Sequence, residues 1–360
     1  MGKLRRFVII SVLALCLPLT QVRVLARPGE SSAGATITLQ SEALLDGRNI
    51  VNILDDFDTF WEAAKGKNIR RQRALWARMV ESKYPDYFNK AVYRNADPDT
   101  RRAMLDAFLQ AIPSHVDAIR DFNKRAAQSI MDGVADFEAH FPDYQQQRDV
   151  YIGLSLFTFD AAVRPVSNDL GVLDTLCLGA DVLSSYSPAQ LKITVVHELF
   201  HLYNFKYLFG GVYHLAPGGL IFQQEVMNRL IPAYVPLMVE GMAVAASEQI
   251  YPGQPPSMYL HLSADELAEQ QDDISQNALF FLNMMKVGAL PNQYEPWFSG
   301  ELEGIPHRGG YFLGYEVIKR ALALTTLEKI ARMTPAQLGL QAESQLSAMV
   351  TDKLFVMSAQ

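Results

Sequence analysis

Leu191-Lys-Ile-Thr-Val-Val-His-Glu-Leu-Phe-His-Leu-Tyr-Asn-Phe205 is the stretch on which the reading of this 360-residue chain turns. The run is apolar and helix-compatible, and His197 and His201 stand four apart in it. On a helix that spacing puts both imidazoles on one face, one turn above each other. Two neutral imidazoles so placed supply half of a tetrahedral zinc shell, and Glu198, just off that face, is positioned to act as general base on an attacking water. Ile193, Val195, Val196, Leu199, Phe200 and Leu202 surround these polar residues, so the helix is expected to be buried. A buried His-Glu-His group is costly unless a cation or hydrogen-bond partners offset the desolvation.

Working outward, Ser184-Ser-Tyr-Ser-Pro188 gives the helix its start, with Ser187 as cap and Pro188 at the first helical position. Two strand-like segments precede it, Val150 to Phe159 and Leu173 to Leu183, rich in β-branched and aromatic residues. From Ser41 to Arg148 the apolar spacing is helical throughout, with Asp97-Pro98-Asp99-Thr100 as a helix start and Phe60-Trp61 as core. Later helices fit Leu237 to Ile250, Ala264 to Met285, Gly310 to Leu324 and Pro335 to Phe355. The chain therefore reads as a mainly helical α+β protein with a small sheet: a helical N-terminal region over 41–148 and a catalytic region over 149–360.

A zinc site that keeps one position for water needs a third protein ligand. Asn204 and Tyr207 stand where a His-Glu-x-x-His-x-x-Gly-x-x-His pattern requires Gly and His, which excludes that subclass. His214, His261, Glu225 and Glu240 remain. Glu240 is the strongest, a lone carboxylate in the otherwise uncharged run Val235 to Ser247. Gly241, Ala243 and Ala246 beside it are small enough to let that helix approach a neighbour closely.

His197-Glu-x-x-His201 followed by Glu240-Gly241-x-Ala243 resembles the gluzincin metallopeptidases, the thermolysin-like group. The chain is also similar to uncharacterised families of predicted secreted zinc proteases, which join Phe-Trp, His-Glu-x-x-His, Glu-Gly and a late Gly310-Tyr311-x-x-Gly314-Tyr315. The resemblance implies a zincin-like fold, one Zn2+ per chain held by His197, His201 and Glu240, and hydrolysis of peptide or protein substrates. It implies Tyr311 as donor to the oxyanion, helped by Arg308, and a substrate strand added at the sheet edge near Gly179 and Ala180. The residue four after Glu240 is Val244 where thermolysin-like enzymes often have Asp. A brace for the histidines is then sought at Asp174, Asp181 or Ser247. Two other readings use the same residues: a zinc hydrolase acting on a non-peptide bond, and a catalytically silent exported protein with a structural metal.

The N-terminus sets the expected compartment. Met1 to Arg6 is basic, Phe7 to Leu19 is nearly all apolar, and Val24-Leu25-Ala26 offers small residues for cleavage. That describes a signal peptide over 1–26, followed by a small, polar, flexible leader over 27–40. The mature chain is expected in the periplasm or outside the cell, without a membrane span. Cleavage removes four basic and no acidic residues, taking the net charge from −7 to −11. So acidic a chain argues against nucleic acid or an anionic membrane as partner. Cys16 leaves with the signal, so Cys177 has no partner for a disulfide.

Overall fold

A computed structural model describes residues 50–145, 149–168, 171–208, 231–299 and 304–358. The segments expected to be signal and leader, and the candidates His214 and Glu225, lie outside them. The described chain is mainly helical around one four-stranded sheet. No helix among the described residues is long and apolar enough to cross a membrane.

The chain enters through a short strand β1 (Ile50–Asn52), then helices α1 (Leu54–Ala64), α2 (Ile69–Met79), α3 (Pro98–Ala111) and α4 (Val116–His140). The Asp97 carboxylate caps α3, accepting from the Asp99 and Thr100 amides at 3.0 Å. Phe60 is fully buried and meets Trp76 edge to face at 5.3 Å, with Phe108 against the same indole. This cluster continues into the region after residue 149, since Phe108 packs on Phe157 and Tyr87 stacks on Tyr151. The N-terminal region thus shares one core with the rest.

The sheet order is β1-β2-β4-β3, adding β2 (Val150–Gly153), β3 (Ala161–Asn168) and β4 (Gly171–Gly179). β1 pairs with β2 and β2 with β4 in parallel, whereas β3 runs antiparallel along β4 as the sheet's edge. Three expectations change here. Region 41–148 is not helical throughout, because β1 finds its partner about a hundred residues downstream, a contact that local periodicity does not encode. The strand expected from Val150 to Phe159 stops at Gly153, and the chain turns through Leu156 and Phe157 in left-handed conformations. The strand expected from Leu173 to Leu183 runs from Gly171 to Gly179 and pairs with the unforeseen β3, whose Pro165 argues against a central strand and suits an edge.

A short helix over Ala180–Leu183 leads to α5 (Pro188–Leu208), the helix of the histidines. Ser187 and Gln190 cap it reciprocally, the Gln190 amide donating to Ser187 Oγ and the Ser187 amide to Gln190 Oε1. Between Leu191 and Asn204 every residue but Lys192 is buried, because α4, β3 and α6 (Tyr234–Ile250) cover the helix from different sides. Beyond α6 the expected Ala264-to-Met285 helix is broken into Ala264–Asp272 and α7 (Ile274–Lys286). Helices α8 (Gly309–Leu322) and α9 (Pro335–Ser358) complete the chain.

The small residues of α6 do face a neighbour, and the neighbour is α8. A Cβ at Gly241 would fall 2.3 Å from the Gly314 carbonyl, and one at Gly314 would fall 2.2 Å from the Leu237 carbonyl oxygen. Two helix backbones touch here, with no flexible side-chain end to yield. Gly314→Ala is therefore expected to destabilise the protein by about 2 kcal/mol or more, by forcing α8 off α6. Thermal unfolding followed by circular dichroism checks this, and an unchanged melting temperature would contradict the packing.

Candidate metal centre

His197, Glu198 and His201 are all buried, and one ligand atom from each lies within 4.8 Å of the others, so this group could hold a metal ion. Glu240, brought in by α6, lies closer still to the histidines. Its Oε2 is 3.1 Å from His197 Nε2 and 3.4 Å from His201 Nε2, and the two Nε2 atoms are 3.1 Å apart. Tetrahedral coordination with bonds of about 2.0–2.1 Å puts neighbouring ligand atoms about 3.3–3.4 Å apart. The triangle of two nitrogens and one oxygen fits one face of such a shell.

The electrostatics call for a cation at the same point. Burial works to raise the Glu240 carboxyl, but the two histidines outweigh it and hold it down to about 2. Burial lowers the His197 pKa, while on His201 the attraction of Glu240 outweighs burial and raises it. A fully buried carboxylate thus pulls a positive charge onto the imidazoles. Glu240 Oε1 and His201 Nδ1 have no hydrogen-bond partner among the described residues. A divalent cation supplies the missing charge more completely than one imidazolium proton.

Glu198 is held differently. Its Oε2 accepts the Val163 amide of β3 at 3.1 Å, and burial pushes its pKa up to about 7. The carboxyl is therefore fixed by the sheet edge rather than by the histidines, and its proton is exchangeable near neutral pH.

Tyr311, in the first turn of α8, brings its ring 6.2 Å from the His197 ring. The Gly241–Gly314 contact lies one turn along α8 and sets that approach. Arg308 stands just before the helix in a left-handed conformation, φ 53°, and lays its guanidinium over the Tyr311 ring at 3.8 Å. Both expected oxyanion residues are thus beside the metal group. His307 turns away to Glu266, and Tyr315 bonds Glu248. His261 is not brought into this group: its Nε2 is 3.5 Å from Thr194 Oγ1, a turn before His197, and its ring lies against Tyr186.

Gly179 and Ala180 do not sit on a free edge. Gly179 pairs with Gly153 on one side and donates its amide to the Asp160 carbonyl at 2.6 Å on the other, and Ala180 is fully buried. The edge is β3, and Glu198 already occupies the Val163 N–H there. Two residues on, Pro165 has none to give. Nor do the expected braces hold His201, whose Nδ1 is unpartnered. Its ring instead lies nearly parallel to Phe205, 5.7 Å away. Ser247 bonds the Ile193 and Ala243 carbonyls, tying α6 to α5, and Asp174 sits in β4 opposite Pro165.

Asp181 serves the loop instead. It accepts the Ser155 and Phe157 amides and the Ser155 hydroxyl, which fixes the left-handed turn at Leu156 and Phe157. No protein-family model, no curated protein and no solved structure matches this chain.

Burial raises the Asp181 carboxyl to about 6, against the lowering effect of those donors. A folded pKa above the unfolded 3.8 means the native state binds the proton more tightly, so stability is lost as pH rises through this window. Asp181→Ala leaves two buried amides without an acceptor and is expected to destabilise at every pH. The loss should be larger near pH 5 than near pH 7, by about 1 kcal/mol. Denaturant unfolding at both pH values checks this; a larger loss near pH 7 would contradict it.

Proposed function

We propose that this protein is an exported zinc-dependent peptidase of zincin-like fold, with His197, His201 and Glu240 as ligands to one Zn2+. The observation that carries the reading is the convergence of three buried ligand atoms, 3.1–3.4 Å apart, with a separately anchored carboxyl beside them. Two imidazoles and one carboxylate suit zinc, a borderline-soft ion that accepts nitrogen and oxygen ligands together. Zinc, when bound, supplies Lewis acidity toward a carbonyl and makes water acidic enough to attack near neutral pH.

Glu198 takes the proton from the attacking water and returns it to the leaving amine. Its position against Val163 keeps it near the histidines without making it the closest oxygen donor to them. A group whose pKa sits near 7 both accepts and releases a proton readily under those conditions. Tyr311 donates its hydroxyl to the developing oxyanion. Burial raises its pKa well above the usual value, so the phenol keeps its proton for that purpose. Arg308, stacked on the ring face, holds Tyr311 in place and partly offsets the rise through its charge.

The occupied β3 edge gives the second reading its support: a hydrolase of a small amide or ester, which would not need strand pairing to bind.

Elemental analysis after gentle purification is expected to find about one zinc per chain. Less than about a tenth of an equivalent would refute the metal assignment. Glu240→Ala should lower zinc affinity by a factor on the order of ten to a hundred or more, and full retention would move the third ligand elsewhere. Glu198→Gln should retain zinc while losing hydrolysis of a peptide library by at least about a hundredfold, and wild-type turnover would remove Glu198 as the base.

A further inference from the structure

Arg308 is 5% exposed, and its Nε is buried without a hydrogen-bond partner among the described residues. Its contact is the face of the Tyr311 ring, 3.8 Å away, which leaves that Nε–H uncommitted. A charge so buried is costly unless an anion meets it. The acidic groups in its surroundings are engaged elsewhere: Asp160 accepts from Tyr186 and the Ala161 amide, Glu240 faces the histidines, and Glu198 accepts from Val163. The backbone of Arg308 is itself left-handed, a conformation a non-glycine residue keeps only when its surroundings impose it.

A cavity of about 380 Å3 opens at Gln190, two turns of α5 before His197, lined also by Tyr186, Met258, His261 and Leu262 with Pro255 and Ser257. Gln190, Thr194, His197 and His201 follow at four-, three- and four-residue steps, so they form one stripe along α5. The stripe runs from the cavity wall to the metal group. Arg308 reaches the metal end of that stripe through Tyr311, whose ring lies 6.2 Å from His197.

We infer that the buried Arg308 guanidinium is a recognition group for a carboxylate on the substrate, next to the bond that is cut, with the cavity at the far end of the stripe taking the rest of that substrate. A planar guanidinium matches a carboxylate through paired N–H donors, and the positive end of α8 adds to the attraction. With no N–H to offer at Val163 or Pro165 of the β3 edge, this anchor supplies orientation that strand pairing there would otherwise give. The carboxylate is either a chain-terminal α-carboxylate or an acidic side chain. The inference deepens the hydrolase reading and rests on it, but its test reads binding rather than turnover.

The experiment is calorimetric titration of the full-length protein, as purified, with three small probes. These are N-acetylphenylalanine, its neutral amide, and N-acetylglutamate with the α-carboxyl amidated. At least one carboxylate probe should bind about tenfold or more tightly than the neutral amide, and which one does identifies the source. Arg308→Met should abolish the difference, while its melting temperature stays equal to wild type or rises, because a buried unpaired cation has been removed. Arg308→Lys, which keeps the charge but not the fork, should retain part of the preference and guards against a folding defect in the first variant. Equal binding of all three probes, no binding of either carboxylate, or an undiminished preference in Arg308→Met would each overturn the inference. Absence of zinc or of hydrolysis would instead strike the proposed function and leave this result standing.

Discussion

A carboxylate with no exposure at all, that of Glu240, faces two imidazoles on a helix buried over most of its length. Removing so many polar groups from water is tolerated only if opposite charges meet at close range. Much of the architecture follows from that meeting. α5 must lie in the centre to keep water from the group, so α4, β3 and α6 surround it. α6 must present its acid inward, so the stretch around it from Val235 to Ala246 is otherwise uncharged and buried. The local demand for a cation is then a consequence of the fold rather than a property of the motif.

A second constraint connects this charge to its neighbours. Gly241 follows Glu240 directly and touches the backbone of α8 at Gly314. That contact carries Tyr311, one turn earlier on α8, to the His197 ring, and with it Arg308. The pair Glu240-Gly241 thus does two jobs: the acid faces the histidines, and the glycine draws in the helix that faces them from another side. Asp181 works in the same manner on the opposite flank, where it fixes the loop that leads from β2 into β3 and so sets the strand that holds Glu198.

What could be read without coordinates depended on whether the signal was local. The caps at Asp97 and Ser187 and the helix starts near Pro188 and Pro335 follow from a few consecutive residues, and they stand where expected within a residue or two. The break at Asp273 inside an expected single helix has no comparable marker, since no glycine or proline interrupts that run. β1 was hidden because three residues in a helix-like context become a strand only when β2 is beside them. β3 was hidden by Pro165, and of the edge expected at Gly179 and Ala180 the first lies in an interior strand and the second opens a helix.

The sequence by itself determined the histidine spacing, the burial of their helix and the oddity of one acid at Glu240, because each depends on composition and period along a single segment. Only the tertiary structure decided that Glu240 reaches both imidazoles, that Glu198 is tied to Val163 instead, and that Arg308 lies on Tyr311 with its Nε unmatched. Those are meetings between residues 35 to 43 apart in the chain, or orientations set by a left-handed residue and a glycine contact. Periodicity fixes which face of a helix is apolar, but not which neighbour covers it, and charge pairing between helices is settled by that neighbour.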